Sequence, residues 1–167
     1  GCTKTSTRTI TVNPLPAVGT TATLTAICLG QQSTTITGTN AVSYVWQPGG
    51  ATTTSITVSP ATTTTYTVTG TNANGCTATA TRTITVNPLP AVGTTVSNAT
   101  ICAGASTTIT GTNAVSYVWQ PGGTTTTSIT VSPAITTTYT VTGTNANGCT
   151  ATATRTITVN TLPNINT

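Results

Sequence analysis

Thr64-Thr-Tyr-Thr-Val-Thr-Gly-Thr-Asn-Ala-Asn-Gly-Cys-Thr-Ala-Thr-Ala-Thr-Arg-Thr-Ile-Thr-Val86 is the stretch that decides the fold. Thr65-Tyr-Thr-Val-Thr69 and Thr83-Ile-Thr-Val86 alternate apolar side chains with hydroxyls at a period of two, which suits a strand with one face inward and one face wet. Threonine and valine are β-branched and favour the pleated backbone. Asn74-Gly75 lies between the two runs and is expected to supply the positive φ angles of a tight hairpin turn, folding strand 64–71 back on strand 77–86. Ser55-Ile-Thr-Val-Ser59 alternates in the same way, and no segment carries a helical period.

Outward from this hairpin the chain repeats itself. Residues 33–87 recur at 106–160 with two differences, Thr124 where the first copy has Ala51 and Ile135 where it has Thr62. Gly1 aligns with Gly75 and Gly148, so residues 1–16 are expected to be the last strand and linker of a preceding repeat, followed by repeats at 17–90 and 91–167. Turn signals fall every 8 to 12 residues, at Gly19, Gly30, Gly38-Thr-Asn40, Pro48-Gly-Gly50, Ser59-Pro60 and Asn72-Ala-Asn-Gly75. That spacing predicts an all-β chain of small antiparallel sandwiches with about seven strands each.

Composition excludes most chemistry. Of 167 residues 54 are threonine, Asp, Glu and His are absent, and the charged residues are Lys4, Arg8, Arg82 and Arg155. General acid and base catalysis draws mainly on His, Asp and Glu. Calcium sites need carboxylate oxygens, and zinc sites need histidine or clustered thiolates. No cofactor, metal or enzymatic activity is therefore expected, and a serine or threonine nucleophile would lack a base. The net charge of +4 comes from missing acids rather than clustered bases, so no nucleic-acid footprint is expected. Apolar runs fall far short of the roughly 20 residues that span a bilayer. Without an initiator Met, signal peptide or sorting tail, the chain is expected to be an excerpt of a longer secreted polypeptide.

Cys28 with Cys76, and Cys102 with Cys149, share nearly the same spacing and are expected to form one disulfide per repeat. Cys2 aligns with Cys76 and Cys149, so its partner should lie outside this segment. A disulfide closing so long a loop is worth about 4 kcal/mol on the chain-entropy model and implies an oxidising, extracytoplasmic setting.

The series Ile-Cys-(Leu or Ala)-Gly, Thr-Ile-Thr-Gly, Tyr-Val-Trp, Ser-Ile-Thr-Val-Ser-Pro, Thr-Asn-Ala-Asn-Gly-Cys and Thr-Val-Asn-Pro-Leu-Pro resembles the immunoglobulin-like and PKD-like tandem repeats of Bacteroidota secreted surface proteins. The resemblance implies tandem immunoglobulin-like sandwiches in a linear array, export to the bacterial surface or beyond, and service as spacers in adhesins or filaments. Acidic residues common in such repeats, and their C-terminal sorting domain, are missing here.

Several residues invite a sharper role. Tyr44 and Trp46, like Tyr117 and Trp119, share a strand face; a carbohydrate platform is one reading, but a thin sandwich needs them in its core. The Thr-x-Thr ladders look like ice-binding hydroxyl arrays, yet small sheets twist by about 20° per strand and spoil a flat array. Arg82, with its copies Arg8 and Arg155, falls in phase with the inward Ile84 and Val86, and no carboxylate exists to pair it. Either a bulge near Ala80 shifts the phase, or, as we favour, the guanidinium reaches backbone carbonyls of a neighbouring repeat. The linkers with Pro14 and Pro16, and with Pro88 and Pro90, favour extended polyproline geometry and complete that expected inter-repeat joint. Such stiff connections give a rod advancing by about 35–45 Å per repeat. Asn98-Ala-Thr100 is an N-glycosylation triplet, in a bacterial protein best read as chance.

The expected function is that of a disulfide-stapled structural repeat in an extracellular filament, stalk or fibrous adhesin, with neighbouring repeats or copies of itself as partners. The alternative is a polysaccharide-binding or cell-adhesion module whose end loops recognise a glycan or surface ligand.

Overall fold

The computed structural model describes residues 1–163, so the last four residues of the expected second repeat lie outside the described residues. The chain forms two compact units, Gly1–Val86 and Asn87–Thr167. The first carries β1 (Gly19–Ala22), β2 (Ala26–Cys28), β3 (Thr34–Thr39), β4 (Ser43–Gln47), β5 (Ser55–Val58), β6 (Thr64–Thr71) and β7 (Thr77–Asn87). The second carries β8 (Gly93–Val96), β9 (Thr100–Cys102), β10 (Thr107–Thr112), β11 (Ser116–Gln120), β12 (Ser128–Val131), β13 (Thr137–Thr144) and β14 (Thr150–Asn160). In the first unit the sheets are β1-β3-β5 and β2-β7-β6-β4, and the second unit repeats that order as β8-β10-β12 and β9-β14-β13-β11. The expected all-β sandwich of about seven strands is the observed fold.

Period-two alternation becomes two faces. Along β6, Tyr66, Val68 and Gly70 are buried while the residues between them are only partly covered. In register, Tyr44 lies opposite Gly70, which lies opposite Ala78; Trp46 lies opposite Val68, which lies opposite Ala80. Bulk falls from β4 to β7, so each aromatic fills space that its small neighbours leave. A Cβ on Gly70 would come within 2.6 Å of Val18 and 2.7 Å of Ala41, which is why threonine cannot continue the pattern there.

Tyr44 and Trp46 are core residues, as expected, with their polar atoms satisfied inside the sandwich. Tyr44 Oη accepts from the Ala41 N–H and donates to the Ala41 carbonyl, both at 3.1 Å, and Trp46 Nε1 donates to Thr53 O at 2.9 Å. Tyr117 and Trp119 repeat these bonds with Ala114 and Thr126. The core reading is the one the structure supports, and it leaves no aromatic platform. On the wet faces, threonines pair across strands, as in Thr65 with Thr83 at 2.8 Å and Thr35 with Thr57 at 3.1 Å, so hydroxyls satisfy each other without charge.

The hairpin at Asn74-Gly75 has a wider loop than the expected two-residue turn. Asn72 N–H bonds the Cys76 carbonyl and Gly75 N–H bonds the Asn72 carbonyl, both at 3.0 Å, leaving three residues in the loop. Gly75 takes a positive φ of 78° and Asn74 does not. The difference follows from Asn72, whose Oδ1 accepts from the N–H groups of Asn74 and Cys76 and closes an Asx turn inside the loop.

Candidate functional site

Among the described residues no pocket is found, and no three His, Cys, Asp or Glu side chains converge as a metal site. No helix is long and apolar enough to cross a membrane. The residues with distinctive chemistry lie at the two ends of each sandwich and on the inward side of its longest strand.

At the end where the chain enters, asparagines hold the linker. Asn72 Nδ2 donates to Pro14 O at 3.0 Å, and Asn40 Nδ2, on a residue with φ 63°, donates to Ala17 O at 3.1 Å. The second unit repeats this with Asn145 on Pro88 O at 3.0 Å and Asn113 on Ala91 O at 3.1 Å. Each linker is thus seated on the loops of the sandwich it leads into, and Pro16 and Pro90 are half-buried there. These four asparagines went unremarked in the sequence beyond turn propensity; their recurrence at fixed positions was the available signal.

Cys76 and Cys149 occupy that same end. Cys76 Sγ approaches Asn13 O at 3.9 Å, and Cys149 N–H bonds Asn145 Oδ1 at 3.0 Å. Cys102 is at the opposite end: β9 runs parallel to β14, with Cys102 opposite Asn160, and Ala103 N–H bonds Asn160 O at 3.0 Å. β2 takes the corresponding place beside β7, where Thr85 N–H bonds Thr25 O at 2.9 Å.

This placement corrects the expected disulfides. Cys149 immediately precedes β14, an eleven-residue strand, so Cys149 and Cys102 are about 36 Å apart at about 3.3 Å per residue. A disulfide requires Cα atoms within about 7 Å. Neither Cys28–Cys76 nor Cys102–Cys149 forms: Cys2, Cys76 and Cys102 are free thiols, while Cys28 and Cys149 are in disulfide linkage.

The arginines are also corrected. Arg82 lies opposite Tyr66 on the inward side of β7, in phase with Ile84, and no bulge intervenes. Its Nη2 donates to the carbonyl of Thr20 in β1 of its own sandwich, not to a neighbouring repeat. Arg155 does the same in the second unit, donating from Nη2 to Thr94 O and from Nε to Thr94 Oγ1, the latter at 3.1 Å. The Arg82 Nε is buried without a partner, because the Thr20 hydroxyl turns to Thr81 O at 3.3 Å instead. With no carboxylate in the chain, a strand-edge carbonyl is the strongest acceptor within reach, and it ties the edge of one sheet to the middle of the other. Arg8 is exposed and takes no part in this arrangement.

No family model matches the chain, and no curated protein matches it either. Solved structures do. An adhesin described as Ca2+-stabilised, with which an Antarctic bacterium reaches out and binds ice, aligns at 22% identity and a TM-score of 0.53, over 89% of this chain and 50% of that one. Each unit is an immunoglobulin-like β-sandwich. Murine CEACAM1b is similar at 14% identity and TM-score 0.39, over 87% of this chain and 100% of that one. A 1.5-MDa bacterial ice-binding adhesin is similar at 16% identity and TM-score 0.44, over 90% and 67%. This chain therefore spans about half the length of the Antarctic adhesin chain it matches.

Proposed function

We propose that this chain is a run of structural repeats from an extracellular filament, stalk or fibrous adhesin of a bacterial surface. The carrying observation is that the two sandwiches share 55 residues, 33–87 and 106–160, with only two differences, and that the loops seating the linker, 40–42 with 72–76 and 113–115 with 145–149, are identical. A repeated end makes the same connection at every step, whereas recognition loops built for different ligands diverge. Filled inner faces and hydroxyl-paired outer faces serve durability, and the chain has no Asp, Glu or His to act as a general base. Enzymatic activity has no part in this reading.

Repeat boundaries at 16/17 and 90/91 belong to the same proposal. Ile10 and Val12 are each 87% exposed, yet they align with Ile84, which is fully buried, and with Val86, which is partly buried against the core. This supports residues 1–16 as the closing strand of a preceding sandwich of the same kind, the array belonging with the Bacteroidota-type surface repeats that its motifs resemble.

Electron microscopy of the native material tests the proposal: a regular filament with an axial step of one or two repeats is expected. Isolated, monodisperse particles together with saturable binding on a glycan array would instead establish the adhesion-module alternative.

A further inference from the structure

We propose that Asn74 and Asn147 are the points at which this chain ages chemically, by spontaneous deamidation, and that Asn72 and Asn145 are positioning residues that hold the reaction back. The inference rests on one loop within each sandwich and stands whether or not the chain forms a filament.

Asn74 and Asn147 are the asparagines that a glycine follows. An asparagine loses its amide when the backbone nitrogen of the next residue attacks its side-chain carbonyl carbon. A side chain on that next residue obstructs the approach, and a proline nitrogen has no proton to give up. Asn13 and Asn87 precede proline, and the other asparagines precede residues that carry a side chain. Gly75 leaves its nitrogen open: a Cβ there would meet nothing within 4 Å, and both Asn74 and Gly75 are exposed to water. The step forms a bond between Gly75 N and Asn74 Cγ. The Asn74 Nδ2 group leaves as ammonia, taking the proton that Gly75 N gives up. Water then opens the cyclic imide at either carbonyl and leaves aspartate or isoaspartate at position 74.

The fold keeps that nitrogen occupied. Gly75 N–H donates to Asn72 O at 3.0 Å, while Asn72 Oδ1 accepts from Asn74 N–H and Cys76 N–H, each at 3.0 Å. Gly148 N–H is held in the same way by Asn145 O at 3.0 Å, and Asn145 Oδ1 accepts from Asn147 N–H and Cys149 N–H. A nitrogen whose proton is bonded to a carbonyl releases it less readily, and the Asx turn fixes the peptide plane that must rotate for attack. Reaction therefore waits for the loop to open. Its product is a side-chain carboxylate in a chain that has none, or an isoaspartate that lengthens the loop backbone by one methylene. Either change falls in the loop that seats the incoming linker, where Asn72 Nδ2 donates to Pro14 O at 3.0 Å.

The test incubates the whole chain in mildly alkaline buffer, folded or in urea, then reduces it, caps its thiols and digests it with trypsin. Cleavage after Arg8, Arg82 and Arg155 puts Asn74 in fragment 9–82 and Asn147 in fragment 83–155, so mass spectrometry reads each site separately within one chain. Both sites are expected to deamidate ahead of the other asparagines in their fragments, and to do so about tenfold or more slowly in the folded chain than in urea. Equal rates in the two conditions, or earlier loss at another asparagine, would overturn the proposal. Asn72→Ala should speed the reaction at Asn74 and leave Asn147 at its native rate, and Asn145→Ala should do the reverse. Asn72→Asp keeps the acceptor oxygen but loses the donor to Pro14, so Asn74 should stay protected; a rate as fast as in Asn72→Ala would refute the part given to Oδ1. Near-ultraviolet circular dichroism reports whether each variant folds. Should Asn72→Ala fail to fold, Asn72→Ser takes its place: its hydroxyl makes a weaker turn bond, and an Asn74 rate no faster than native would count decisively against the proposal.

Discussion

Arg155 holds Thr94 twice, through its carbonyl and, at 3.1 Å, through its hydroxyl. These bonds reach from the middle of the four-stranded sheet to an edge strand of the three-stranded one, a connection that no backbone ladder supplies. Replacing Arg82 and Arg155 together with Ala should lower the stability of each repeat by about 2 kcal/mol, the usual worth of hydrogen bonds from a charged donor. Urea unfolding of the full chain measures it. Lysine, with a point charge and no fork, should recover less than half of the loss. An unchanged midpoint would show the clamp to be idle.

Gly38 is the second pressure point. A Cβ there would meet the Tyr44 ring at 2.7 Å, and one on Gly111 would meet Tyr117 at 2.6 Å. The rings cannot withdraw, because each hydroxyl is fixed to Ala41 or Ala114. Gly38→Ala with Gly111→Ala should therefore cost about 1–3 kcal/mol per repeat through overpacking, despite alanine's lower entropy in the unfolded chain. Thermal unfolding read by near-ultraviolet circular dichroism is the measurement, and a stabilised double variant would contradict it.

Stability should hardly depend on pH between 4 and 8. The chain has no Asp, Glu or His, so no side-chain carboxylate or imidazole titrates in that window. Melting points there should agree within about 3 °C, less than the shift that 1 kcal/mol produces in a domain of this size. The alkaline side differs. Burial pushes the Tyr66 hydroxyl above its usual value of 10.0, because the phenolate would lose its water. A group raised in this way contributes stability that is fully present below its unfolded value and is lost as pH rises through the folded one. Melting points should begin to fall above pH of about 10, and Tyr66→Phe should soften that decline.

Removing every cysteine should leave each sandwich folded. No disulfide closes within a repeat, so a variant with all five cysteines changed to serine should retain its strand signature and lose less than about 1 kcal/mol per repeat, against about 4 kcal/mol for an internal staple. Far-ultraviolet circular dichroism with urea titration distinguishes the two values.

The hairpin at 64–86 was legible in the sequence because alternation and the turn are local properties: β6 and β7 run where threonine alternates with apolar residues. Tyr44 and Trp46 were legible as core because so few large side chains are available. The cysteine pairs were misread because equal sequence spacing carries no position along a strand. Only the parallel placing of β9 against the far end of β14, a non-local pairing with no local signature, separates them. Arg82 was half legible. Its inward phase is visible in the alternation, but its acceptor, Thr20, lies 62 positions away in the opposite sheet.

Cys149 adjoins the first residue of β14, whose last residue, Asn160, leads straight into the outgoing linker. Force drawn out through that linker meets the eight rungs by which β14 pairs with β13 in shear, so that all are loaded at once and none can peel ahead of the rest.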